Sequence, residues 1–422
     1  MLRPGYRPPS RKEIGSELLE LVYEKIYAVC KEKVEGKTVS MELDGWSNVH
    51  NDPLICCSVT TAEGDTFLTS TIDTEDERHT ADNLEKIAEE AIKTAEETLG
   101  CKVRSFVTDN ASAMKKMRSQ LGVHNPVITY PCSSHVVDRL AKDVDTSSVK
   151  SEVVSIAKYL KKHHLPSAWY QKEGGRKIPI PIDVRWNSVT DCLESYLNNW
   201  PILYKVVEAH RLEIDSDIYD KVMDLGLKTR TAEYLSKMKP IAVALDKLQS
   251  DNCNISDAVV IWKGLQEAFE DMPLAFSTKF EERMSSALTP AHYLAHLLDP
   301  CYHGNNHLNN EETAIAMNYL AEHERSCLPL VLKYQAKTAP FHGYLFLPEA
   351  LKDPLAWWKS QSMVLGQNMV SLAEQLLTAR ASSAGIERIF STFGFVHSKI
   401  RNRLGTDKAG KLVFLYKLLN MK

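Results

Sequence analysis

The order in which β-like and helical stretches alternate between Thr38 and Asp109 limits the fold of this chain more than any other feature. Thr38 to Gly45, TVSMELDG, is an apolar, β-prone run that delivers one carboxylate, Asp44, at its C-terminal edge. Two more runs follow, Leu54 to Ala62 and Asp65 to Ile72, joined through Glu63 and Gly64 in what reads as a tight hairpin. A helix is then expected from Thr80 to Leu99, with Leu84, Ile87, Ala88, Ala91, Ile92 and Ala95 on one side and acids on the other. Thr80 suits its N-cap and Gly100 its C-terminal stop. A fourth run, Lys102 to Asp109 (KVRSFVTD), again stops on an acid. This order predicts an α/β domain in which three antiparallel strands precede a crossover to a fourth strand beside the first. Asp44 and Asp109 then stand at neighbouring strand ends. Either Asp alone reads most simply as a turn former, but two carboxylates converging from rigid strands suit a hard divalent cation.

A chain of 422 residues has room for two or three domains and a substantial core. Hydrophobic content of 44% and charged content of 25% fit a soluble globular protein. No apolar run is long enough to span a membrane and no signal-peptide core opens the sequence, so an intracellular protein is expected. The nine cysteines include no Cys-x-x-Cys pair, which argues against both a disulfide framework and a zinc finger. A net charge of −4 gives no global attraction to nucleic acid, so such binding has to come from local patches. Two basic stretches qualify, Met1 to Lys12, an extended proline-containing linker, and Lys399 to Lys422, where Asp407 is the one acid, although solvated surface is the commoner explanation for either.

After Asp109 a helix is expected over Ala111 to Gln120, then a short apolar run, Val127 to Tyr130, leading into Cys132-Ser133-Ser134-His135. Cys-x-x-His alone falls short of the four ligands of a structural zinc site, and no zinc is predicted. His135, just past a strand end, reads equally as a polar contact or proton carrier near the two aspartates or as a structural residue at a helix start. From about Thr146 to Ser360 helical periodicity takes over, with separate helices expected over Trp186 to Asn198 and Pro201 to Leu212 among others. Within this block Arg185 and Trp186 stand side by side, suited to gripping a phosphate and stacking a base, although helix packing also accounts for the tryptophan. In Ala379 to Asn402, Ile386, Ile389, Phe390 and Phe393 form one apolar helix face, while Ser383, Ala384, Ser391 and Gly394 surround Glu387 with small side chains. Glu387 is thus the natural third acid, with an ordinary surface glutamate the alternative reading. The final helix, Thr406 to Leu419, is apolar almost all round and has to be buried or paired with another chain.

Taken together, LDGWS at Asp44, VTDNASAM at Asp109, CSSH ending at His135, VRWNS at Trp186, LLDP ending at Pro300, DPLAWW ending at Trp358 and SSAGIERIFS around Glu387 resemble, in order, the motifs of the hAT superfamily of DNA transposases and their domesticated descendants. The resemblance covers nearly the whole chain, and its C-terminal block is the most specific part.

The resemblance implies a ribonuclease H-like α/β catalytic core interrupted by a large all-α insertion. It implies a basic linker and leading helix over 1–37, the first part of the core over 38–145, the insertion over 146–360, and the rest of the core with a dimerisation region over 361–422. Asp44, Asp109 and Glu387 match the family's catalytic, metal-binding acids, His135 the histidine of its Cys/Asp-x-x-His motif, and Trp186, beside Arg185, the tryptophan that stacks near a flipped base. Two Mg²⁺ or Mn²⁺ ions, DNA as substrate, a homodimer or higher oligomer, and a nuclear location are implied with them. Between Met1 and Thr38 only Cys30 could serve the family's N-terminal BED-type zinc finger, so DNA binding is expected to be weak. The chain is then either a truncated transposase core that cleaves and transfers DNA strands or a domesticated, non-catalytic dimeric protein.

Overall fold

The computed structural model describes residues 7–47, 53–74, 78–144, 148–182, 187–397 and 404–420. They form two compact units, one made of Met1–Ser133, Gln249–Val260 and Ala287–Lys422, the other of Ser134–Leu248 and Ile261–Ser286.

The first unit is built on a five-stranded sheet in the order β3-β2-β1-β4-β5, with β1 Thr38–Ser47, β2 Pro53–Thr60, β3 Thr66–Asp73, β4 Lys102–Thr108 and β5 Ile128–Pro131. β1, β2 and β3 pair antiparallel, and β4 lies parallel to β1, as the order of elements predicts. The hairpin turns at Gly64, whose φ of 90° suits a residue without a Cβ. The crossover helix, Ala81–Leu99, starts at Thr80, which accepts the Asn83 N–H, and stops at Gly100 in the left-handed region at φ 67°. Its buried stripe, Leu84, Ala88, Ala91, Ile92 and Ala95, joins Val39, Met41 and Leu43 of β1 in one apolar core.

β1 is covered on its other face as well. Ser40 and Glu42, which alternate with those apolar residues, are no more than 1% exposed. The covering chain arrives from the far end of the sequence. Residues 379–381 are stitched to 253–255 by Ile255 N–H to Ala379 O (2.9 Å) and Ala381 N–H to Cys253 O (3.1 Å), and Ser133 N–H reaches Ala381 O (3.0 Å). The helix Ala384–Val396 then lies on the sheet, packing Ile386, Ile389, Phe393 and Val396 against Cys56 of β2. The final helix, Thr406–Leu419, buries Val413, Phe414 and Leu415, with the Phe414 ring 5.2 Å from that of Tyr23, but leaves Tyr416 and Leu419 exposed. Its expected all-round burial is therefore incomplete within the chain.

The second unit is helical. The two helices expected around Pro201 are one, Ser188–Ala209, with Pro201 inside it. An interior proline costs about 3 kcal/mol, yet Leu193 and Tyr196 before it and Leu203, Val206 and Val207 after it continue one buried face. Burial of that continuous face outweighs the lost hydrogen bond.

Back in the first unit, the helix Pro290–Leu298 ends at Asp299, which accepts the Cys301 N–H at 3.0 Å, and Trp358 Nε1 donates to Leu298 O at 2.8 Å, so the LLDP and DPLAWW stretches pack together. Burial raises the Asp299 carboxyl to about 6, partly opposed by that amide. An acid whose pKa is raised on folding stabilises least when ionised, so stability falls as pH rises from about 4 to about 6 and levels off above. Asp299→Asn keeps the acceptor and removes the ionisation. Urea denaturation is expected to show the variant more stable than the wild type by about 1–3 kcal/mol near neutral pH, with the difference gone below about pH 4. An equal difference at both pH values would contradict the assignment.

Candidate active site

β1 and β4 run parallel with Glu42 opposite Val107, so two residues further along both strands stand Asp44 and Asp109. Strand periodicity puts both on the sheet face that the Glu387 helix covers. Asp44 is half-buried and its Oδ1 accepts the Gly45 N–H at 2.8 Å. Asp109 follows the last residue of β4, and its Oδ1 accepts the Ala111 N–H at 3.1 Å, a turn that starts the next helix, Ser112–His124. Arg118 of that helix is 5% exposed and grips the same turn, donating to Thr108 Oγ1, to the Asp109 carbonyl, and to Asn110 Oδ1 at 2.7 Å. Burial pulls its pKa down to about 10, with the Asp109 charge opposing the shift, so it stays cationic at neutral pH.

Glu387 lies in the first turn of Ala384–Val396, half-buried. Its carboxylate comes within 4.8 Å of that of Asp44, while the Asp109 carboxylate does not join them within that distance. The end of β1 is fixed against the same helix by Trp46, whose ring stacks on Phe390 (6.0 Å between centroids, 12° between planes) and tilts against Phe393 at 5.3 Å. Strand-end and helix-borne carboxylate oxygens on rigid supports are the donor set a hard divalent cation takes, so Asp44 and Glu387 fit such an ion.

Two residues before Asp44, Glu42 holds the site together from behind. It is 1% exposed and accepts hydrogen bonds from Thr60 Oγ1 (2.8 Å), Ser58 Oγ (3.2 Å) and the Ile386 N–H (2.8 Å). Burial raises its carboxyl pKa, opposed by Thr60, Ile386, the Arg388 charge and Ser58. Arg380, 4% exposed, has its own pKa lowered by burial, with Glu42 the first of the charges that oppose the shift. Sequence reasoning passed over Glu42, Arg118 and Arg380. The available signal was a glutamate in the middle of an apolar strand, where a charge needs fixed partners.

Cys132 and Ser133 of the CSSH stretch belong to the first unit. Cys132 is buried, and its Sγ accepts the Ser383 N–H at 3.3 Å, which makes it a support for the Glu387 segment. His135, in the first turn of the helix Ser133–Val144, is half-buried and belongs to the second unit. Arg185 and Trp186 lie outside the described residues. A cleft of about 710 Å³ opens at the other ends of β1 and β4, beside Lys37, Thr38 and Lys102, and takes in none of the three acids.

Residues 9–160 match the model of a domain of unknown function, DUF659, and residues 344–419 match the hAT family C-terminal dimerisation region. No curated protein matches the chain. Among the described residues no helix is long and apolar enough to cross a membrane.

Because Arg118 donates to three acceptors around Asp109 from a buried position, Arg118→Leu is expected to destabilise the protein by about 2–4 kcal/mol in urea denaturation. A loss below about 0.5 kcal/mol would show that the turn does not depend on it.

Proposed function

The chain is an hAT-family transposase-like protein carrying that family's dimerisation region, and on that premise we propose that its first unit is a ribonuclease H-like core that cleaves and joins DNA strands. The observation that carries this reading is the approach of Glu387 to within 4.8 Å of Asp44 across more than three hundred positions of sequence. Asp44 and Glu387 would hold a divalent ion, Mg²⁺ or Mn²⁺, and Asp109, at the matching position of the neighbouring strand, would complete a site for two. Ions so held supply activation of a water or 3′-hydroxyl and stabilisation of the leaving oxygen in an in-line displacement at phosphorus.

The chain's own residues do the rest. The three carboxylates fix where the phosphodiester sits, and their supports keep them from relaxing apart. Arg118, cationic and buried, holds the Asp109 turn. His135 is a candidate for moving a proton at the reacting oxygen. Arg185 and Trp186 are proposed to grip the backbone and stack an unpaired base. With a net charge of −4, DNA is held through local patches, so affinity is modest and falls with salt. A homo-oligomer assembled through the C-terminal region would act on two DNA ends in the nucleus.

The reading is tested by Mn²⁺- or Mg²⁺-dependent nicking of duplex and pre-nicked DNA by the full chain, beside Asp44→Ala, Asp109→Ala and Glu387→Ala. Each substitution is expected to lower the rate at least about 100-fold while the protein stays folded. Folded wild-type protein that nicks no faster than these variants would leave the domesticated, non-catalytic interaction role as the better description.

A further inference from the structure

We propose that Glu42 is the positioning residue for Glu387: by taking the Ile386 N–H it seats the first turn of the Ala384–Val396 helix so that the Glu387 carboxylate meets Asp44. The inference rests on the catalytic reading above.

The first turn of a helix leaves N–H groups without intrahelical partners. Here the N-cap, Ser383, makes no side-chain capping bond. The Ile386 N–H reaches the Ser383 carbonyl at 3.2 Å and, more closely, an acceptor from β1, where Glu42 Oε2 stands 2.8 Å from its nitrogen. A carboxylate at that place also faces the positive end of the helix dipole. Glu42 has little freedom to do otherwise, because Thr60 and Ser58 donate to it from β2 at 2.8 and 3.2 Å.

The approach is so close that only glycine fits at 385. A Cβ on Gly385 would sit 2.7 Å from Glu42 Oε2, 2.9 Å from Oε1 and 2.8 Å from Thr66 Oγ1. The glycine at 385 is therefore explained by the seat. Glu42 and Asp44 alternate along one strand on one face, so β1 carries both one acid of the site and the anchor that brings the other acid to it. The anchored amide immediately precedes Glu387 in sequence, which leaves the acid almost no backbone slack.

The test compares full-length wild type with Glu42→Ala, Glu42→Gln and Gly385→Ala by three readouts: Mn²⁺ affinity from electron paramagnetic resonance, kcat and KM for nicking, and hydrogen exchange at the Ile386 amide. Glu42→Ala is expected to weaken Mn²⁺ binding and lower kcat by about 10-fold or more, the range seen when the support of a metal ligand is lost, with KM for DNA little changed. The Ile386 amide should exchange faster while amides at the far end of the helix keep their rates. Glu42→Gln retains an acceptor and should recover most of the loss. Gly385→Ala leaves Glu42 in place but pushes the turn off it, and so should reproduce the Glu42→Ala defect even if that variant folds poorly.

A folded Glu42→Ala or Gly385→Ala protein with wild-type Mn²⁺ affinity and kcat overturns the proposal, as does equal damage by Glu42→Gln. Wild-type protein that binds no Mn²⁺ overturns the catalytic reading and the positioning role together. The Ile386 exchange rate still reports separately on the seat: unchanged exchange in Glu42→Ala removes it whatever the activity.

Discussion

The hydrogen bond from the Ile386 amide to Glu42 joins residues 344 positions apart, and the arrangement of the candidate site depends on it. A carboxylate buried to this degree is costly unless its oxygens are satisfied. Two β2 hydroxyls and one helix amide meet that need, and each of the three donors is thereby pinned. The same demand explains residues that otherwise look unrelated. Ser58 and Thr60 are polar where β2 faces this carboxylate, although the strand is apolar on its other face, and Gly385 lacks the side chain that would block the approach.

Sheet topology supplies the other half of the arrangement. Because β4 returns parallel to β1, the C-terminal ends of both strands fall on the same edge, the edge at which ligands bind in open α/β sheets. Acids at matching positions then need no loop to bring them near each other. The third acid has to be carried in by a separate helix, and that helix is held by backbone bonds to 253–255 and to Ser133 as well as by Glu42. A strand end and a packed helix thus set where Asp44 and Glu387 stand.

Much of this was legible from local chemistry. The alternation of β-prone runs, the Thr80 cap, the Gly100 stop and the Glu63-Gly64 turn each have a physical cause contained within a few residues, and the order of the first four strands followed from them. What was not legible depends on distant partners. Pro201 argues for a helix break by its own stereochemistry, and only the continuity of the buried face around it shows why the helix runs on. Glu42 stands out in the sequence as a charge within an apolar strand, but the partner that completes its shell, the Ile386 amide, comes from residues 379–387. Nothing near Cys132 in the sequence indicates that its sulfur accepts a backbone amide from that same segment.

The C-terminal match bears on this as well, because the dimerisation region spans 344–419 and so contains the seat, Glu387 and the final helix together. Phe395, on the acid-bearing helix, is 62% exposed and lies 5.4 Å from the ring of Tyr416 on the final helix, with Leu419 also exposed a turn beyond. Apolar side chains facing water and the buried anchor of Glu387 are therefore on opposite sides of one helix. Its inner face is fixed by Glu42 and by Ile386, Ile389 and Phe393, so the outer face is presented on a rigid support rather than on a mobile arm. A helix that served assembly alone would have no need of a buried carboxylate beneath its first turn. The presence of one ties the position of the outer surface to the position of the acid.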